Sequence, residues 1–120
     1  MASDAINTAF TSLQSAAGIE IIYSRGDRNV TVKGVPGSTE WAEATGAGYV
    51  ETAQARDFLV RVDDLVLGGE SITPTRGDTV TETVGNRQIT YPVSSPGGSR
   101  VFSYADPYRR IYRIHTTETK

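Results

Sequence analysis

The sequence predicts a mainly β protein: a small β-barrel of short antiparallel strands carrying one N-terminal α-helix. Three observations carry that prediction. One stretch, residues 3–18, repeats its apolar positions every three or four residues, and from residue 19 the apolar period drops to two. Turn-forming clusters then divide the chain at intervals too short for intervening helices. At 120 residues the chain suffices for one domain, 1–120, with a helix at 1–18 and a barrel over 19–120. A domain of this size hides roughly two-thirds of its unfolded surface, so it needs no staples. It has none, because cysteine is absent, and with it disulfides, thiolate metal sites and a cysteine nucleophile.

The helix lies in "SDAINTAFTSLQSAAG". Ser3 is placed to cap it, Asp4 suits its first turn, and Gly18 is suited to a left-handed ending. Ile6, Phe10, Leu13 and Ala17 form its apolar face. Beyond it, "IEIIYS" and "NVTVKG" alternate apolar and polar residues. "STEWAEA" and "YVETA" flank "TGAG" as a long loop or hairpin at about 36–57. "RDFLVRVDDLVL" sets Phe58, Val60 and Val62 on one face, and "DTVTETV", "RQITYPVS", "RVFSYA" and "RRIYRIHT" complete the strand set. "RGD" (twice), "VPGS", "LGGE", "VGN", "SPGGS" and "ADP" are the turn signals between them. Pro92 marks an edge strand or a bulge.

The tripeptide Arg-Gly-Asp occurs at 25–27 and 76–78, where composition alone would give ~0.06 copies. An adhesion role would need secretion, and no basic stretch followed by an apolar run marks a signal peptide. A structural account fits better. Gly26 and Gly77 supply positive φ, and Asp27 and Asp78 brace the backbone as the chain turns into the next strand. A phosphate loop fails, since Pro74 blocks the helix that would have to follow "LGGES".

Metal, cofactor and catalytic chemistry are poorly supplied. His115 is the single imidazole, which excludes a multi-histidine zinc site. Asp57, Asp63 and Asp64 lack a calcium-loop pattern and are expected to face water around a buried strand. His115 with Asp106 or Glu118 could form an acid–base pair, but a solvated or interface histidine is the simpler reading. With no G-x-S-x-G elbow either, the sequence gives no reason to expect an enzyme, and no cofactor or metal is expected.

The net charge of −2 argues against a wholesale nucleic-acid binder. Residues 100–120 hold five basic and two acidic side chains, a local +3 that leaves −5 for the first 99. Within that segment Arg109, Arg110 and Arg113 interleave with Tyr108, Tyr112 and Ile114. Such a pattern suits single-stranded nucleic acid or a DNA passage, and equally an edge strand guarded by charge. Trp41 and Tyr49, in an acidic hairpin, read as a barrel corner or a protruding contact arm. No apolar run approaches the length of a membrane span, so a soluble, cytoplasmically made protein is expected.

The order of these pieces resembles a known group. "RDFLVRVDDLVLGGESITPTRGDTVTE", then "RQITYPV", then "DPYRRIYRIHTTET" is similar to small head-tail connector proteins of tailed bacteriophages and prophages. The matching positions are Asp64-Leu65, Pro74, Gly77-Asp78 and Tyr91-Pro92-Val93, with "AGIEIIYSRGDRNVTV" fitting the group's helix and first hairpin. Pro92 departs from the pattern by removing a backbone donor, and an opening of the barrel is expected there.

The resemblance implies a stopper or head-completion protein of the virion neck, assembled in the host cytoplasm. Adaptor and tail-terminator proteins are close alternatives, as is a barrel binding single-stranded nucleic acid. The implied partners are further copies in a cyclic ring, the portal or adaptor ring, and a tail terminator or tail tube protein. Genomic DNA in the channel is a further implied partner, and a membrane is not. Trp41, Tyr49, Arg109, Arg110, Arg113 and His115 are the candidate interface or channel-facing residues.

Overall fold

Seven of the nine strands in the computed structural model hydrogen-bond into one antiparallel sheet. The structure describes residues 2–44, 50–94 and 100–117, with side chains described for 5–38, 56–94 and 100–117. Helix α1 spans Ala2–Ala17. The strands are β1 Ile19–Arg25, β2 Arg28–Ala44, β3 Val50–Arg61, β4 Val66–Leu67, β5 Glu70–Ser71, β6 Thr79–Val84, β7 Arg87–Pro92, β8 Phe102–Tyr104 and β9 Ile111–Thr116. The sheet order is β7-β6-β1-β2-β3-β9-β8, and β4 and β5 form a small separate pair. The expected class, mainly antiparallel β with one N-terminal helix, is what the chain adopts.

Alternation builds the core. Inward positions Ile21 and Tyr23, Phe58 and Val60, Val80, Tyr91, and Tyr112 and Ile114 are buried together with Leu65 and Val93. Burying each such side chain contributes about 1.5–3 kcal/mol. The outward positions Val35, Leu59 and Ile111 meet Phe10 and Ile6 of α1, forming a second cluster outside the sheet. Arg61 ties the helix down by donating to the Asn7 carbonyl at 3.1 Å and to the Thr11 hydroxyl, with its guanidinium over the Phe10 ring.

The β7 end of the sheet comes round to β9. The chain just past β7 forms a bridge between Val93 and Thr116 of β9. Ser94 N donates to the His115 carbonyl at 3.1 Å, and Thr117 N donates to the Pro92 carbonyl at 3.2 Å. The two are thus joined by a narrow seam rather than a full ladder, and the sheet is not closed into the expected barrel. Pro92 occupies edge strand β7, opposite Thr79, and serves the seam through its carbonyl alone.

Three local expectations change. "VPGS" is no turn, because β2 runs through it and Pro36 lies opposite Phe58. The β1 ladder stops at Gly34, so the donor that Pro36 lacks falls where β1 no longer pairs. Residues 56–67 are not one strand, since a 3-10 turn over Val62–Asp64 divides them. Gly18 is not left-handed, and its value is lack of bulk: a Cβ there would lie 2.4 Å from the Gln14 carbonyl oxygen. That same carbonyl accepts the Gly18 N–H at 2.8 Å.

Candidate functional site

The two Arg-Gly-Asp copies meet in space. The first closes the β1–β2 hairpin, where Gly26 at φ 62° takes the first central position of a two-residue turn. Asp27 is exposed at the second. The second copy ends a turn in which Asp78 N donates to the Thr75 carbonyl at 3.1 Å and Gly77 sits at φ 102°. Arg25 then grips Asp78, with Nε to Oδ1 at 2.9 Å and Nη2 to Oδ2 at 2.8 Å. The buried Asp78 also accepts the Tyr23 hydroxyl and, at 3.1 Å, the Thr75 N–H. Arg76 itself is exposed.

Electrostatics follow from this geometry. Burial alone would raise the Asp78 carboxyl, but donors from Arg25, Tyr23 and Thr75 outweigh it and hold the group below the usual carboxylate range. Burial, with the Asp78 carboxylate alongside, pushes the Tyr23 hydroxyl well above the ordinary tyrosine value. The clasp ties the end of β1 to the turn that leads into β6.

A second polar cluster lies further along the interior. Glu82, 2% exposed, accepts Arg56 Nη2 at 2.8 Å and the Tyr91 hydroxyl at 2.6 Å. The Arg56 guanidinium lies 5.4 Å from the Phe58 ring centroid and 5.8 Å from that of Tyr91. The sequence contained a signal for it. The Val80/Glu82 alternation puts Glu82 on the inward face, where a carboxylate demands partners.

The C-terminal candidates do not gather into one site. Arg113 and His115 share the outward face of β9, and both bond Asp57 of β3, through Nη1 and Nδ1, each at 2.8 Å. Asp57 was expected in water and is instead fully buried, because the β3–β9 register sets it directly opposite His115. His115 is 5% exposed, not solvated, and its carboxylate is Asp57 rather than Asp106. Asp106 accepts three backbone N–H groups, from Tyr108 at 3.0 Å and from Arg110 and Ile111 at 2.8 Å.

Arg109, Arg110 and Tyr108 occupy the loop that Asp106 braces. Arg109 stands at φ 58°, the one non-glycine residue with positive φ among those described, with its guanidinium 5.6 Å from the Tyr104 ring centroid. Arg110 approaches Asp63 at 3.9 Å. Tyr112 turns into the core and stacks on Tyr104 at 5.5 Å, with Phe102 edge-on to both. The exposed remainder is a corner of Tyr104, Tyr108 and Arg109. With Tyr112 inside and Arg113 committed to Asp57, the expected row of basic and aromatic residues is no single platform for a nucleic-acid strand.

The hairpin candidate Trp41 belongs to the opposite end of β3. Beyond Gly34 on β2 and before Arg56 on β3 the two strands pair only with each other among the described residues, down to Ala44 opposite Val50. Trp41 is placed opposite Ala53 in this ribbon. The Trp41 side chain and the whole of Tyr49 lie outside the described residues.

A family model described as phage head-tail joining protein matches residues 1–120. The chain belongs to that family. No curated protein matches it. A head-tail joining protein works at the junction of a phage head with its tail and contacts proteins of both. Among the described residues, the β2–β3 ribbon extends from one end of β3 and an exposed corner of Tyr104, Tyr108 and Arg109 lies at the other. An open apolar groove of about 250 Å³ also lies between α1 and the Ala105–Ile111 loop, with Leu13 42% exposed beside it. No helix among the described residues is long and apolar enough to cross a membrane.

Proposed function

We infer that this head-tail joining protein is the stopper or head-completion component of the neck, acting by assembly rather than by catalysis. Copies form a cyclic ring below the portal and its adaptor, close the DNA-filled head, and offer the tail terminator or tail tube protein a docking surface. The match over the full chain carries the joining role. The ring reading is supported by the ribbon of residues 38–44 and 50–55, which pairs with no other described strand. A two-stranded ribbon is marginally stable alone, so its length favours a neighbour that covers it.

Internal ion pairs suit a component whose shape must survive assembly. The Arg25–Asp78 and Arg56–Glu82 clusters lock two regions of the sheet through buried carboxylates held by part-exposed arginines. The test is a phage lacking this gene. Filled heads and free tails should accumulate, and mass spectrometry of wild-type particles should find the chain in the neck. Tailed infectious particles from the deletion would refute the proposal. Tail-less empty heads in place of filled ones would point to the adaptor position, and heads joined to unterminated tails to the terminator.

A further inference from the structure

We propose that the ribbon of one copy docks on the Tyr104–Tyr108–Arg109 corner of the next, so that successive copies join head to tail; this rests on the ring reading above. The ribbon carries Glu40, Glu43 and Glu51 and no basic residue between Ser38 and Ala55. The β2–β3 register sets Glu43 directly opposite Glu51, and facing like charges destabilise an antiparallel pair. Trp41 pairs with Ala53 two residues before that Glu43–Glu51 pair. A cationic, aromatic surface laid against this stretch of the ribbon relieves the repulsion.

The corner has the complementary chemistry. Tyr104 is 39% exposed and Tyr108 49%, with Arg109 beside them. Tyrosine, tryptophan and arginine are the residues in which binding energy concentrates. The backbone at Arg109 adds independent weight. Its φ of 58° would be met at least cost by glycine, yet an arginine stands there, held by the Asp106 brace. Such a loop presents the guanidinium in one place.

The two surfaces cannot meet within one molecule. The ribbon leaves the N-terminal end of β3, while the corner adjoins Arg61 at its other end, about 36 Å away at the rise of an extended strand. The longest dimension of the molecule is 49 Å. Two unlike, complementary surfaces at opposite ends of one chain define a heterologous contact, which closes into a ring when the rotation per step permits.

The absence of cysteine makes a direct test clean. Phage particles are produced with Glu43→Cys or Glu51→Cys combined with Tyr108→Cys or Arg109→Cys, oxidised, and run on a non-reducing gel. The expected result is that at least one pair shifts most of the chain into dimers, trimers and higher multimers, whereas each single variant gives no species beyond a dimer. If the chain is present in the particles and every pair stays monomeric, the ribbon–corner contact is wrong while the neck assignment stands. If the chain is absent from wild-type particles, both fall.

Discussion

Asp78 shows how a single carboxylate can close a fold. It receives donors from Tyr23, Arg25 and Thr75, so Asp78→Ala strands a buried hydroxyl and leaves a guanidinium without its partner. The expected loss is about 2–3 kcal/mol in urea unfolding, at the low side for a broken buried pair because Arg25 keeps 40% of its side chain in water. The pH dependence follows from the depressed carboxyl. Its stabilising effect is complete above the ordinary carboxylate value of about 4 and is lost as pH falls through the lower folded-state value. Acid unfolding of the Asp78→Asn variant should therefore show a shallower dependence over that range than wild type. Gly77→Val forces a β-branched residue to φ 102° and should lower the melting midpoint, while Arg76→Lys, at an exposed site, should leave it unchanged. Differential scanning calorimetry distinguishes the two.

At the scale of elements, the docking of α1 rests on few contacts. Phe10 is the central buried residue of the outer cluster with Val35 and Ile111, and Phe10→Ala should cost about 3 kcal/mol and release the helix. Loss of helical circular dichroism at a denaturant concentration where the β signal persists would show this. The helix and most strands were legible because their apolar periods are unambiguous. The 17-residue β2 was not, since Pro36-Gly37 looks like punctuation when read locally. Only the lateral end of the β1 ladder explains why a proline is harmless there. The buried state of Asp57 was hidden for a related reason: a charge beside Arg56 at the start of an apolar run reads as solvated until the register places Arg113 and His115 beside it. The Arg25–Asp78 clasp joins residues 53 apart, beyond any local pattern, although the doubled tripeptide did mark both ends of it.

For the whole molecule, the seam between β7 and β9 is the narrowest join in the sheet. One bridge and its flanking bonds join β7 to β9, against seven paired positions between β1 and β2. The amides of Ser94 and Thr117 should exchange with deuterium earlier than those of Ile21 and Tyr23, in a native-state experiment followed residue by residue. Equal protection would mean that this seam opens only by global unfolding. The expected opening near Pro92 has its counterpart here, in an edge strand joined to β9 by one bridge.

The placing of β9 has a consequence for how the chain is made. It is the last described strand, yet it lies between β3 and β8, so the edge of β3 stays unpaired until residues 111–116 have left the ribosome. The β1–β2 and β2–β3 hairpins can form early from neighbouring residues, whereas the closing step spans about half the chain and is slow by comparison. Until β9 pairs, the edge of β3 is an open, adhesive template for other strands, and the arrival of residues 111–116 covers it.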